Sequence, residues 1–198
     1  KKLPGSFLLR MMVYVSALLT AGVVVFLIGY ILWQGVPNLT LPGLFDWEYN
    51  SQNQSMMPAI INTIIMTALT LLLAVPVGVF AAIYLVEYAS RGNKLVKVIR
   101  ITAETLSGIP SIVYGLFGFI VFVITLGWSY TLLSGVITLA IMILPLIIRT
   151  TEEALMAVPD SYREGSFGLG AGKLRTVFRI ILPSAMPGIL SGVILSIG

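Results

Sequence analysis

The chain has 198 residues, of which 58% are hydrophobic and 10% charged, with a mean hydropathy of +1.00 and a net charge of +4. Soluble domains carry about 25% charged residues, so this composition cannot cover a water-facing surface and points to a membrane protein. Neither cysteine nor histidine is present, which removes disulfides, thiolate metal sites and the commonest general base and metal ligand. With only eight carboxylates besides, the chain is poorly equipped for hydrolytic or zinc chemistry. A basic balance can signal nucleic acid, but in so apolar a chain it reads as the excess of Lys and Arg on the cytoplasmic side of a membrane.

In chain order, Met11 to Trp33 comes first, 23 residues without a charge. At about 1.5 Å per residue this crosses about 30 Å of hydrocarbon. A signal peptide has a shorter apolar core and a small-x-small cleavage site, which "WQGVPNL" does not offer. The start "KKLPG" lacks Met, so some preceding residues are expected to be absent. Further spans are predicted at Pro58 to Tyr84, Thr105 to Leu126 and Thr131 to Ile148. A fifth begins near Thr176 and is still apolar at Gly198, so a fragment is expected, with at least one more span beyond it.

The connections set the orientation. Lys1, Lys2 and Arg10 precede the first span, and Arg91, Lys94, Lys97 and Arg100 follow the second. Arg149, Arg163, Lys173, Arg175 and Arg179 lie at or between the fourth and fifth. All twelve basic residues thus fall on one side. The loop Gly35 to Met57 holds only the acids Asp46 and Glu48, and "GWSY" holds no charge. The positive-inside rule places the N-terminus in the cytoplasm.

Several features lie within or beside the spans. Pro76, Pro110, Pro145, Pro183 and Pro187 each remove a backbone donor. Such prolines are either kinks satisfied by neighbouring helices or interruptions that line a transporter cavity. Ala74, Gly78 and Ala82 share a face, and Gly115 and Gly118 form a similar small patch; both predict close helix packing. From Arg91 to Glu104 the cations Lys94, Lys97 and Arg100 recur every third residue, largely opposite Leu95, Val98, Ile99 and Ile101. That is an interfacial amphipathic helix, either a lipid anchor or a partner-docking element. Arg149 and Glu152 stand three apart at the inner end of the fourth span. They either pair locally or serve to hold an anion, since the planar donors of arginine match two phosphate oxygens.

The segment "REGSFGLGAGKLRTVFRIILP" (Arg163 to Pro183) superficially suggests a phosphate loop. A Walker loop requires a glycine where Phe167 stands and Ser or Thr where Leu174 stands. A dinucleotide fingerprint starting at Gly168 and Gly170 requires its third glycine where Lys173 stands. The local pattern is instead a short helix, Tyr162 to Leu169, after Pro159. Ser161 and Glu164 have the spacing of a capping box, with Ser161 as the N-cap. Gly170 and Gly172 supply the stop and turn before a new helix from about Lys173. Tyr162, Phe167 and Leu169 give this small helix apolar groups suited to docking another protein.

Glu164-Gly165-Ser166, Gly170, Ile180 and Leu182-Pro183 have the spacing of the cytoplasmic loop of ABC-importer permeases. There Glu-Ala-Ala precedes glycine, isoleucine and Leu-Pro. Gly165 and Ser166 replace the two alanines and weaken the helix by about 0.5–1 kcal/mol at Gly165. Together with Ala103 to Phe119, Leu144 to Ala171 and Arg179 to Gly192, the loop resembles phosphate-importer permeases, the PstA type more than its PstC partner. The resemblance implies an all-α, polytopic type I permease fold of six spans, about five of them present here. Residues 1–10 would be a cytoplasmic segment and 11–198 the transmembrane permease domain in the cell's inner membrane, with 149–175 the coupling loop. It further implies a PstC-like second permease subunit, two ATPase subunits and an extracytoplasmic phosphate-binding protein, with ATP and Mg held by the ATPases and no cofactor, metal or catalytic residue on this chain. Tyr162, Glu164, Gly165, Ser166, Phe167, Leu169 and Gly170 would form the coupling helix, and Arg149 and Glu152 would match a charged pair of the family's phosphate path. The function implied is ATP-driven phosphate import by alternating access. Alternatives are a type I permease for sulfate, molybdate or an amino acid, or a channel or scaffold that uses no ATPase.

Overall fold

The computed structural model describes residues 4–38, 45–47, 55–89 and 92–198. Lys1, Lys2, Glu48 and Arg91, four of the charges used for the orientation, lie outside the described residues. Regular structure is helical, with no strand among the described residues. The chain divides into two units, one up to Ile60 and one from Ile61 onward.

The first unit is dominated by α1 (Pro4–Gly35), which ends in a tight 3-10 turn at Val36–Asn38. Its stretch Leu9–Gly35 is long and apolar enough to cross a membrane and contains the predicted first span. The hydroxyls of Ser16 and Thr20 donate back to the carbonyls of Val13 and Ser16, at 3.0 and 2.8 Å. This satisfies them within the helix, as hydrocarbon demands.

The second unit comprises most of α2 (Met57–Tyr88), then α3 (Lys94–Ser107), α4 (Ser111–Thr125), α5 (Leu132–Met156), α6 (Asp160–Gly168) and α7 (Lys173–Ile197). α2, α5 and α7 are each long and apolar enough to cross a membrane; with α1 that makes four such helices among the described residues, and a fifth if α3 and α4 count as one broken span. The predicted third span is therefore corrected. Thr105 to Leu126 is not one rod: Thr105 to Ser107 close the amphipathic helix, and the chain bends by 101° before α4. Pro110, extended at φ −58 and ψ 137, has no N–H to continue the ladder and pushes Ile109 away from helical geometry. The phenol of Tyr114 donates to the carbonyl of Leu106 at 2.9 Å and pins the corner. By contrast α2 continues through Pro76 and α5 through Pro145.

α5 is the centre of the unit, packed by α7, α3 and α4. One core cluster joins Ala82 and Ile83 of α2, Leu155 of α5 and Val177, Ile181, Ala185 and Ile189 of α7. A second joins Ala74 of α2 to Ala140, Ile143 and Ile147 of α5. The predicted small face of α2 lies between them: a Cβ on Gly78 would stand 2.6 Å from Ile147 Cγ2. Gly118 lies against Thr138 in the same way, but Gly115 meets nothing within 4 Å, so that patch packs at one residue only. α7 approaches α5 closely at Gly188 against Ala154 and at Gly192 against Thr150. These two glycines are four apart, the same packing signature, and the sequence reading does not single them out.

Candidate functional site

The two groups of predicted site residues converge on one end of the second unit, where α5 stops and α6 crosses to α7. α5 extends beyond its predicted end at Ile148, through Arg149 and Glu152, to Met156. α6 starts immediately after Pro159, which occupies the N-cap position at φ −57 and ψ 141. No side chain caps the helix. The predicted capping box is therefore corrected: Ser161 lies in the first turn, and Glu164 is an exposed helical residue rather than its capping partner. Proline supplies a fixed φ and an extended ψ, so the helix begins one residue later, at Asp160, whose carboxylate suits the positive N-terminal end.

The other end of α6 is as predicted. Gly170 adopts a left-handed φ of +81, where a side chain would be strained. Its N–H donates to Phe167 O at 2.9 Å, and the Ala171 N–H donates to Ser166 O at 3.1 Å. These paired bonds satisfy the last carbonyls of α6 and stop it. Gly172 is extended, at φ −73 and ψ 158, and starts α7 as its N-cap. Lys173 lies 5.0 Å above the Tyr88 ring, so the lysine of "GLGAGK" stacks on the end of α2.

The predicted coupling residues divide by burial. Tyr162, Phe167 and Leu169 are exposed, Leu169 to 91%. Glu164, Gly165 and Gly170 are exposed as well. Ser166 is turned inward, and its hydroxyl shares a 2.8 Å hydrogen bond with that of Thr176, both buried. One residue thus fastens α6 to α7 while its neighbours present an apolar surface outward.

A residue that the sequence reading used only as a topology charge fastens α6 to the rest. Arg163 Nε and Nη2 donate to Glu87 Oε1, at 3.1 and 2.7 Å. Nη2 also donates to Leu155 O at 3.0 Å, and Nη1 to Val158 O at 2.9 Å and Asp160 Oδ1 at 3.1 Å. The side chains of Arg163 and Glu87 are 16% and 9% exposed, so the pair is withdrawn from water. Glu87 is carried on a wide π-helical turn, Tyr84–Tyr88, that ends α2. Glu87 is an isolated acid at the end of an apolar run, which is a signal. Its partner lies 76 residues away, at a separation no local spacing reveals.

The local Arg149–Glu152 pair does not form, and that alternative is corrected. Arg149 Nε donates to Glu153 Oε1 at 3.1 Å, with both side chains more than half exposed. Glu152 faces inward and accepts from Arg100 Nε of α3, also at 3.1 Å, with its own side chain only 11% exposed. Positions 152 and 153 lie on different sides of α5, so the inner carboxylate is met by a neighbouring helix and the outer one by the preceding turn. The inner acid is met by a cation, and the Arg149 guanidinium keeps only an exposed partner one turn away. Beside this cluster lies a cleft of about 990 Å³ whose walls include Glu87, Lys94, Lys97, Arg100, Asp160 and Arg163. No group of three or more metal-ligating side chains occurs among the described residues.

The architecture defines a class. An inward-facing structure of the MetNI methionine ABC transporter superposes with a TM-score of 0.60, covering 80% of this chain and 71% of that one at 21% identity. The fold is that of an ABC importer permease, in agreement with the expected all-α polytopic class. Residues 74–198 match the family described as "binding-protein-dependent transport system inner membrane component", and the chain belongs to that family. It is 34% identical to the probable ABC transporter permease protein YqgI of Bacillus subtilis, over 92% of this chain and 62% of the relative. It is 41% identical to the phosphate transport system permease protein PstA 1 of Mycobacterium tuberculosis, over 70% of this chain and 45% of the relative. The PstA protein of Pasteurella multocida is 36% identical, over 83% and 58%. The chain thus spans about half the length of the curated relatives it matches.

Proposed function

We propose that this chain is the core of a permease subunit of an ATP-driven phosphate importer. The observation that carries the coupling half of this reading is α6: a short helix, fixed at both ends and from behind, that holds Tyr162, Phe167 and Leu169 outward. Such a surface suits a groove on an ATPase subunit, and the other family members expected around it are a PstC-like permease and an external phosphate-binding protein. The excess of Lys and Arg at this end supports a cytoplasmic location for it, and the positive-inside rule supports a cytoplasmic N-terminus. The names of the PstA relatives support phosphate as the cargo.

In this reading, ATP and Mg bind and react on the partner ATPases. Their closure displaces α6, and the displacement re-orients the membrane helices, so that the cargo site faces one side of the membrane at a time. Arg149 supplies a planar donor set for a phosphate oxygen pair. Glu152 is held by Arg100 and adds little repulsion, and the anion would replace Glu153 as the partner of Arg149. Phosphate uptake by the complete assembly in liposomes tests both roles. Gly170→Pro is expected to abolish uptake, and retained uptake overturns the coupling role. Arg149→Ala is expected to raise the phosphate concentration needed for half-maximal uptake, and an unchanged value overturns the anion role. ATP hydrolysis stimulated by phosphate-loaded binding protein, compared with sulfate and molybdate, tests the cargo.

A further inference from the structure

The end of the second unit contains one part-buried charge network, centred on Arg163, that no part of the proposed path or docking surface uses. Arg163 makes five hydrogen bonds to three places: Glu87 on α2, the carbonyls of Leu155 and Val158 at the end of α5, and Asp160 at the start of its own helix. All five donor directions of a guanidinium are thereby engaged in a single geometry. Two further contacts brace the same corner. Ser166 is bonded to Thr176 at the start of α7, and Lys173 stacks on Tyr88, next to Glu87. α6 is thus tied to α2, α5 and α7 on its inner side only.

We propose that Arg163 is a positioning residue that makes α6 and the inner end of α2 one rigid body, so that a push on α6 reaches a membrane helix through the Glu87 carboxylate. The inference rests on the coupling role proposed above and adds its route. Without the joint, α6 would be held to the membrane helices by two short turns, 157–159 and 169–172, and by the Ser166–Thr176 bond to α7, none of which reaches α2. With it, α6 cannot tilt unless the end of α2 follows. An ion pair mostly withdrawn from water, with every guanidinium donor satisfied, is costly to open, so the joint is expected to stay closed throughout the transport cycle.

Two measurements on the complete complex in liposomes test this. The first is phosphate uptake per ATP hydrolysed, normalised to assembled complex. Glu87→Gln and Arg163→Gln are each expected to lower the ratio about tenfold, within the usual span of coupling between sites. The double variant is expected to be no worse than either single, because the joint breaks once. A wild-type ratio in either single, or defects that multiply in the double, overturns the proposal. The second keeps the pair intact. These 198 residues contain no cysteine, and in a complex otherwise cleared of cysteine Ala89→Cys and Ser161→Cys can be spin-labelled to report the distance between α2 and α6. The same distance distribution in nucleotide-free and ATP-trapped complexes is expected, and a shift between the two states overturns the joint. Failure of the coupling reading itself registers separately, as a wild-type complex whose ATP hydrolysis does not respond to the binding protein.

Discussion

Arg163 and Arg149 lie towards the same end of the second unit, and each places its Nε 3.1 Å from a glutamate oxygen. The surroundings make these two different objects. Arg163 and Glu87 are mostly withdrawn from water and share their bonds with backbone carbonyls. Arg149 and Glu153 are one helical turn apart, and both are more than half exposed. An exposed pair of that kind contributes at most about 0.5 kcal/mol, so Arg149 can release Glu153 for an anion at little cost. Removing one partner of a buried pair leaves an uncompensated charge and costs about 3–5 kcal/mol. Bond length does not separate a fixed joint from an exchangeable ligand; burial and the number of satisfied donors do.

The contrast can be broken at several points. The largest effect is expected from Arg163→Gln, which strands the Glu87 carboxylate: a loss of about 3 kcal/mol or more, read as a lowered unfolding midpoint of the purified complex. An unchanged midpoint would show that water reaches Glu87 and that the joint is an ordinary surface pair. Next comes Gly170→Ala. Forcing a side chain into the left-handed region at φ +81 costs about 1–2 kcal/mol, and the local loss should appear as faster amide exchange at positions 170 and 171. If exchange there is unaltered, the cap does not set the end of α6. Glu152→Gln is expected to cost about 1 kcal/mol, since Arg100 remains half exposed and regains water. A loss as large as that at Arg163 would move this pair into the fixed class. Smallest is Arg149→Ala, within about 0.5 kcal/mol of wild type in stability while weakening phosphate uptake. A large stability loss there would erase the distinction between the two arginines.

Legibility in the sequence followed the range of each interaction. The spans of α1, α2, α5 and α7 were readable because hydrocarbon imposes length and apolarity on consecutive residues. The stop of α6 at Gly170 was readable because a left-handed turn is a local demand on one residue. The start is not legible in the same way: Ser161 has the spacing of a cap, but Pro159 with its extended ψ is an equally good start two residues earlier. The third span was read as continuous because apolarity persists across Gly108–Ile109–Pro110, whereas the backbone bends there by 101°. The apolar face of α6 was foreseen, but not that Ser166 within it is turned inward to Thr176.

The sequence by itself determined the membrane class, the approximate spans, the grouping of basic residues, the exclusion of a nucleotide loop at "GLGAGK" and the family resemblance. All of these depend on composition, periodicity or fixed spacing along the chain. Only the tertiary structure decided who pairs with whom. Glu152 belongs to Arg100 across 52 residues, Glu87 to Arg163 across 76, and Gly192 to Thr150 across the helix interface. The physical reason is that an ion pair or a close helix crossing is selected by distance and burial in space. Several cations were available to each acid along the chain, and only the packing of α2, α3, α6 and α7 around α5 chose among them.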